Sequence, residues 1–263
     1  MLPLISDLWN DVYHHNLMTV VQSPEWEMVN HTFEVEYPTQ RSVRNPVRNF
    51  NEGFGDLMYE WMMQGGITVS DRMIELNPNA RNYNTIFAPT GRAFNCTAYG
   101  PRVREQLPHV LDILAMTKGV TRRAEIMILG PQDIHVGIAR ETGETTCEYP
   151  CTMGFNFRVR NGKLDMVTTM RSNNYTTTVN QDFYVFTKLQ EHIANMLNVE
   201  CGRYYHSAQS AHVFWHDAER VFEILRYYIQ SQVPKGEMHA AWRTALKNAN
   251  DVYAAHLEAR DNG

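Results

Sequence analysis

The feature that most constrains the fold is an Asn-Gly pair, Asn161-Gly162, between two runs in which apolar and polar residues alternate. The first run is FNFRVR and the second is KLDMVTTM. Both central positions of a two-residue hairpin turn need a positive φ, which Gly adopts freely and Asn tolerates better than most residues. The segment therefore predicts an antiparallel β-hairpin over residues 155–170.

Apolar residues at helical spacing predict further elements around this hairpin. The predicted helices are 104–117, 183–197, 217–232, a more polar 239–258 and the Met-rich segment 56–64. The predicted strands are 31–37, 124–129 and the alternating run that carries His206 and His212. Two segments rich in Pro, Asn and Arg, 37–53 and 76–95, have the composition of loops. Because no βαβ rhythm repeats, we expect an α+β fold with helices packed against one large sheet.

Composition limits the classes of function. The 263 residues allow a single domain over 1–263 that buries a sizeable core. A net charge of −5 argues against direct nucleic-acid binding or coating of an anionic membrane. We expect no membrane association, because no apolar run reaches the roughly 18 residues that span a bilayer.

The cysteines indicate a reducing compartment. Four cysteines (Cys96, Cys147, Cys151, Cys201) in a chain of this length are too few for a disulfide framework. The N-terminus lacks a basic flank followed by an apolar stretch, so we expect no signal peptide and a cytoplasmic location. No second Cys or His pair lies at metal-ligand spacing, so no metal is expected.

The candidate nucleophile is Cys151, in the string Tyr149-Pro-Cys-Thr directly before the first hairpin strand. A thiolate is a strong, soft nucleophile for conjugate addition, and nearby arginines would be expected to lower its pKa. Two other interpretations stay open from the sequence alone. The residue is also compatible with a small buried apolar side chain, or with a redox or metal pair that includes Cys147.

Three further groups follow the hairpin. Arg171 and Ser172 can grip a phosphate, since a guanidinium binds two oxygens and a hydroxyl a third. Asp182 precedes an apolar helical run, where an Asp is most often an N-cap. His206 and His212 lie six apart on a strand, and either one can face a cleft or be structural.

Taken together, these spacings resemble the thymidylate synthases and their relatives, the bacteriophage-type deoxycytidylate hydroxymethylases. The shared pattern is Pro-Cys, a hairpin, Arg-Ser, an Asn or Asp eleven residues after the Arg, and a Gly-x3-His-x5-His element. Upstream, Thr121-Arg122-Arg123 before a strand and Tyr99-Gly100 fit the same pattern. The resemblance covers about residues 95–217.

The resemblance implies a thymidylate synthase-like fold in a homodimer that packs sheet against sheet. Arg122 and Arg123 would reach the nucleotide phosphate of the partner subunit's site and join Arg171 and Ser172 there. An arginine from the loop at 37–48 is a further candidate. His212 would hold the sugar 3′-hydroxyl.

The resemblance also implies a substrate and a mechanism. Where the synthases carry Asn to read uracil, this chain carries Asp182, whose carboxyl can accept from N4 of cytosine and share a proton with N3. The expected substrate is therefore dCMP, hydroxymethylated at C5 with 5,10-methylenetetrahydrofolate as co-substrate. Cys151 would add to C6, Asp182 would carry the N3 proton, and Tyr99 would order water near C5.

Departures from the family pattern lie on the folate side. The acid–base Glu of the family stands three residues before a Trp, but Met58 holds that position before Trp61, and Glu60 is the nearest substitute. Asn174 replaces the folate-contacting Asp, with Trp61 as the other folate contact. Alternatives are therefore a CMP or dUMP hydroxymethylase or methylase of the same family, and a nucleotide-binding protein with altered catalysis.

Overall fold

A computed structural model describes residues 25–42, 45–84 and 97–217 as continuous stretches. It also describes scattered positions in the C-terminal part, namely 219–221, 223, 224, 226, 227, 247, 251, 254 and 258. Among the described residues, no helix is long and apolar enough to cross a membrane.

One mixed six-stranded sheet organises the described residues. Its strands are β1 (Glu25–Val35), β2 (Glu125–Met127), β3 (Thr152–Arg160), β4 (Lys163–Met170), β5 (Asn173–Asn174) and β6 (Glu200–Phe214). The order is β1-β6-β4-β3-β2, and β5 also pairs with β6. β6 runs antiparallel to β1 but parallel to β4 and β5. The long β6 therefore joins the N-terminal strand to the hairpin strands.

Helices supply the other side of the core. They are α1 (Glu52–Met63), α2 (Asp71–Leu76), α3 (Tyr99–Met116), α4 (Ile134–Glu141) and α5 (Thr178–Met196). Short 3-10 turns cover Pro46–Arg48, Pro78–Asn84, Pro131–Asp133 and Trp215–Asp217. In α5, apolar residues recur at helical spacing, and Phe183, Leu189 and Ile193 are fully buried against the sheet. This burial fixes the helix that carries Asp182.

A buried amide ties α5 to an irregular point of the sheet. The β4–β6 pairing shifts register between Leu164 and Met166. There, Nε2 of Gln190 donates to the carbonyls of Leu164 at 2.8 Å and Arg203 at 3.0 Å. Carbonyls that the ladder leaves unpaired are costly when buried, so this side chain stabilises the shift.

Helix α3 begins where only a glycine fits. A Cβ on Gly100 would lie 2.7 Å from the Met62 carbonyl oxygen and 2.9 Å from Cα of Gly65. The close approach lets the start of α3 pack directly on the end of α1. As a result, Tyr99 and Trp61 come from neighbouring helix ends.

The predicted α+β class and hairpin are confirmed. β3 and β4 pair antiparallel up to Arg160 opposite Lys163, with φ of 52° at Asn161 and 75° at Gly162. The predicted strands 31–37 and 124–129 correspond to β1 and β2, and the two-histidine run is β6. The predicted helices 56–64, 104–117 and 183–197 correspond to α1, α3 and α5.

Some element boundaries differ from the predictions. The segments 37–53 and 76–95 contain short 3-10 turns, and 43–44 and 85–95 lie outside the described residues. Half of the predicted helix 217–232 is described, and its described residues between 219 and 227 are helical. Most of the predicted helix 239–258 lies outside the described residues.

The hairpin turn gives a first prediction. Replacing Gly162 by Ala places a Cβ at a positive φ, which should lower the free energy of unfolding by about 1–2 kcal/mol. Asn161→Gly is the matched control, because Gly also accepts that φ and should change stability little. Urea unfolding followed by circular dichroism measures both, and equal stability of G162A and wild type would contradict the turn geometry.

Candidate active site

Cys151 lies at the end of a long loop, directly before β3 and beside the end of β4. The backbone N–H of Arg171 donates to the Cys151 carbonyl at 2.8 Å, which extends the β3–β4 pairing past the ends of the strands. Sγ of Cys151 lies 4.0 Å from the Tyr149 carbonyl oxygen. The side chain is only partly exposed. The end of the β3–β4 ladder therefore holds this partly exposed cysteine in place.

A cavity of about 320 Å³ opens beside this cysteine, and we refer to it as the Cys151 cavity. It is formed by α1, the turn Pro78–Asn84, the start of α3, the loop before β3 and the first turns of α5. Its described lining residues are Met58, Trp61, Met62, Asn79, Asn82, Tyr83, Thr97, Tyr99, Glu148, Tyr149, Pro150, Cys151, Met170, Thr178, Gln181, Asp182, Val185 and Phe186. Apolar and aromatic side chains make up most of this lining, and Glu148, Cys151 and Asp182 add ionisable groups to it.

Arg171 holds the loop that carries the cysteine. Its Nε donates to the Pro150 carbonyl at 2.9 Å and its Nη2 to the Tyr149 carbonyl at 3.0 Å. The guanidinium carbon also lies 4.7 Å from the centroid of the Tyr149 ring, and Nη2 lies 3.7 Å from Sγ of Cys151. The arginine thus combines loop positioning with a positive charge beside the thiol.

The expected lowering of the Cys151 pKa is wrong for the single chain. Burial raises the pKa of the thiol, Arg171 opposes this rise, and the carboxyl groups of Asp182 and Glu148 add to it. One arginine facing two carboxyl groups is too little positive charge to reverse the effect of burial. Among the described residues of one chain, no cation other than Arg171 lowers the pKa of this thiol.

Asp182 lies inside α5, in its second turn, so it is not the N-cap that its sequence position suggests. The helix begins at Thr178 after the cap residue Thr177. Oδ2 of Asp182 accepts from Nδ2 of Asn173 at 2.6 Å, and the same amide nitrogen lies 3.3 Å from Oγ1 of Thr178. Burial raises the pKa of Asp182 to about 7, although the Asn173 bond lowers it. The carboxyl group can therefore gain or lose a proton near neutral pH.

Two tyrosines in the cavity lining carry hydroxyl groups. The hydroxyl of Tyr99 accepts from the Thr152 backbone N–H at 3.4 Å, and burial raises the pKa of Tyr99 well above its usual range. Burial also raises the pKa of Tyr83 to about 12, with contributions from Asp182, Cys151 and Glu148. Both hydroxyls stay neutral around pH 7 and can act as hydrogen-bond donors.

Ser172 and His212 meet next to this cavity. Oγ of Ser172 lies 3.3 Å from Nδ1 of His212. The His212 ring packs edge-on against Phe214, with centroids 5.0 Å apart. Neither residue is among the described lining residues of the Cys151 cavity. Together with Arg171, which precedes Ser172 in the chain, they form a polar group outside that lining.

The residues expected on the folate side separate in the structure. Trp61 lines the Cys151 cavity, and its indole N–H donates to the Thr68 carbonyl at 2.9 Å. Met58 lines the cavity too, whereas Glu60 is exposed and is not among the described lining residues. Residues one and three before Trp61 occupy different helix faces, so the structure does not bring Glu60 to Cys151.

The Asn174 side chain makes hydrogen bonds to the backbone of the residues that follow it. Its Oδ1 accepts from the backbone N–H groups of Thr176 at 2.8 Å and Thr177 at 3.1 Å. This Asx turn orders the chain between β5 and α5. The side chain is nearly buried and is not among the described lining residues of the Cys151 cavity.

Arg122 and Arg123 lie elsewhere on the chain. Both are exposed, and together with Val120, Thr121 and Arg160 they line a separate cavity of about 390 Å³, which we call the arginine cavity. The two cavities share no described lining residue. Within one chain these arginines do not join Arg171.

Sequence reasoning missed Asn173 and Glu148. Asn173 follows Arg171-Ser172 directly, but nothing in its spacing shows that a turn brings it to Asp182 nine residues later. Glu148 stands three residues before Cys151, a proximity that could have identified it. Among the described residues, no group of three or more His, Cys, Asp or Glu side chains is placed to hold a metal ion.

Comparison with known proteins extends these observations. One relative is the deoxyuridylate hydroxymethyltransferase of Bacillus phage SP01, which is 28% identical over 199 residues, or 70% of this chain and 49% of that protein. The chain spans about half the length of the curated relatives it matches. The crystal structure of thymidylate synthase from T4 phage superposes with a TM-score of 0.62 at 18% identity, covering 92% of this chain and 89% of that one.

The superposition shows that the mixed sheet with flanking helices is the thymidylate synthase fold. The thymidylate synthase family model matches residues 58–261, a span that contains the Cys151 cavity and both hairpin strands. The chain therefore belongs to the thymidylate synthase family, whose members modify C5 of pyrimidine nucleotides by one-carbon transfer.

Proposed function

We propose that the protein hydroxymethylates dCMP at C5, with methylenetetrahydrofolate as co-substrate and Cys151 as the nucleophile that adds to C6. The observation that carries the proposal is the position of Asp182. Its carboxyl group shares the cavity with Cys151, is fixed by Asn173 and has a pKa of about 7.

Asp182 suits a cytosine ring better than a uracil ring. Cytosine presents a donor at N4 and an acceptor at N3, so a protonated carboxyl group matches both by donating to N3 and accepting from N4. Uracil presents the reverse pattern. With the proton held on Oδ1, because Oδ2 accepts from Asn173, uracil in the same pose would leave buried polar groups unpaired, which is costly. The bond from Asn173 occupies Oδ2 and fixes the plane of the carboxyl group.

Among the described residues, the cations expected to bind the phosphate do not come together within one chain. Arg171 and Ser172 lie beside Cys151, whereas Arg122 and Arg123 face the arginine cavity. On β4 and β6, the residues that alternate with the core positions remain half-buried, among them Val167, Thr169, Tyr205 and Ser207. We propose that two copies pair through this sheet face, which would bring Arg122 and Arg123 of one copy to the phosphate bound by the other.

The aromatic side chains that line the Cys151 cavity suit a flat heteroaromatic co-substrate. Trp61, Tyr83 and Phe186 are among the lining residues, and aromatic side chains of this kind stack well on a pterin ring. Members of this family use methylenetetrahydrofolate as co-substrate. It supplies a one-carbon unit, and addition of water to that carbon would yield the hydroxymethyl group.

A related activity has its own support. The phage SP01 relative is a deoxyuridylate hydroxymethyltransferase, so dUMP is the main competing substrate. Two further activities of the same family are alternatives, namely hydroxymethylation of CMP and transfer of a methyl group in place of a hydroxymethyl group. The remaining alternative is a nucleotide-binding protein with altered catalysis. It is supported by the apolar Met58, which lines the cavity at the position where the family pattern has the acid–base Glu.

The base-reading role of Asp182 can be tested by exchange. Asp182→Asn should move preference from dCMP toward dUMP, lowering the ratio of the two rates by about a hundredfold or more, because the amide matches uracil. Release of tritium from [5-³H]dCMP, [5-³H]dUMP and [5-³H]CMP, with and without methylenetetrahydrofolate, measures this change. Cys151→Ala is the blank, and an unchanged preference in D182N would contradict the proposal. Release from no nucleotide would favour the binding protein.

The carboxyl group should also affect the reactivity of the cysteine. Above its pKa of about 7, Asp182 is ionised and raises the pKa of Cys151. Asp182→Asn should therefore speed alkylation of Cys151 by iodoacetamide at about pH 8, by roughly threefold or more. Mass spectrometry of the Cys151 peptide follows the reaction, and Asp165→Asn on β4 is the control. Slower or unchanged alkylation in D182N would show that the two groups do not interact.

The proposed dimer predicts complementation. Cys151→Ala and the double variant Arg122→Ala/Arg123→Ala should each be inactive alone. An equal mixture should recover about one quarter of wild-type activity, because random pairing gives mixed dimers with one complete site each. Mixing C151A with a C151A/R122A/R123A chain is the matched control. Recovery in the control mixture, or none in the test mixture after subunit exchange, would exclude shared sites.

A further inference from the structure

Glu148 contributes a second carboxyl group to the Cys151 cavity. It lies close enough to affect both Cys151 and Tyr83 electrostatically. We propose that Glu148 is the general base that removes the C5 proton of the nucleotide, in place of a carboxylate on α1. This role rests on the proposed C5 modification.

The loop around Glu148 is anchored on both sides. Cys147 is fully buried and packs against Val136 of α4. On the other side, the Tyr149 and Pro150 carbonyls accept from Arg171. A side chain held between two fixed points is positioned by the fold, which general-base catalysis requires.

A third contact restrains the same loop. Nη2 of Arg140 lies 2.9 Å from Oε1 of Glu148, and Nη1 donates to the Thr146 carbonyl at 2.9 Å. Both charged side chains are nearly half exposed, so the pair contributes little to stability. Its geometric effect is larger, since it holds one oxygen of a partly exposed carboxylate in place.

The other proton-carrying groups of the cavity have different tasks or the wrong acidity. Burial raises the pKa of Tyr83 to about 12 and that of Tyr99 further, so neither accepts a proton near neutral pH as a phenolate. Asp182 is buried, bonded to Asn173 and placed to read the base. Among the described lining residues this leaves Glu148 as the carboxylate that is free of base recognition.

Glu148 would act once, when the C5 proton is removed. After Cys151 has bonded to C6 and C5 has bonded to the one-carbon unit, the C5–H bond breaks. Its proton passes to the Glu148 carboxylate, and its electron pair forms a double bond from C5 to the new carbon as the bond from that carbon to the folate nitrogen breaks and this nitrogen takes a proton from solvent. Water then adds to this carbon and releases a proton, the electron pair of the exocyclic double bond restores the C5–C6 double bond, and the Cys151 sulfur leaves as a thiolate. Glu148 returns its proton to solvent, to which its side chain is 47% exposed.

The test separates proton removal from the earlier addition to C6. Full-length wild type, Glu148→Gln, Glu148→Asp and the exposed control Glu144→Gln are compared for dCMP binding and for tritium release from [5-³H]dCMP with methylenetetrahydrofolate. A third measurement is the covalent adduct with 5-fluoro-dCMP and the same folate, detected by intact mass. The fluorine leaves no C5 proton to remove, so adduct formation does not need the base.

We expect E148Q to bind dCMP within about twofold of wild type and to form the fluoro adduct, while tritium release falls by about a hundredfold or more. E148D should retain part of the release, and E144Q should match wild type. Release from E148Q within threefold of wild type would overturn the role, as would loss of binding and adduct together in both Glu148 variants. A wild type that forms no adduct and releases no tritium would instead refute the proposed function, and the role of Glu148 with it.

Discussion

The three hydrogen bonds that Arg171 makes to the loop before β3 fix the position of the nucleophile. Its backbone N–H bonds the Cys151 carbonyl, and its guanidinium bonds the carbonyls of Pro150 and Tyr149. These carbonyls lie outside the ladder and would otherwise need water or another donor. The same side chain carries the positive charge nearest the thiol. Loop geometry and the electrostatics of Cys151 therefore depend on one residue at the end of β4.

The elements of this fold followed from local rules. Asn161-Gly162 fixed a hairpin because its turn requires positive φ, and the apolar spacing of α3 and α5 reflects their buried faces. The spacing from Cys151 to Arg171 was informative for the same reason, since a hairpin brings its two outer ends together, here with one register shift between Thr152 and Gly154. Local periodicity was sufficient to predict the contacts that lie within one hairpin or one helix.

The parts of the site that sequence reasoning did not find depend on contacts between distant elements. Periodicity places Met58 and Glu60 on different faces of α1 but does not tell which face meets the cavity. That choice is made by the packing of α1 on the start of α3 at Gly100. Likewise, Asn173 reaches Asp182 only because the Asx turn at Asn174 reverses the chain before α5.

The charge balance of the cavity links its chemistry to assembly. Among the described residues of one chain, one arginine and two carboxyl groups affect the Cys151 thiol, and its pKa is raised. A bound nucleotide would add a phosphate dianion, so without more cations both binding and thiolate formation would be opposed. Arg122 and Arg123 are exposed and line a separate cavity, as the proposed pairing requires. Under the proposed pairing, the cations that bind phosphate also favour the thiolate, and a separated chain would lack both.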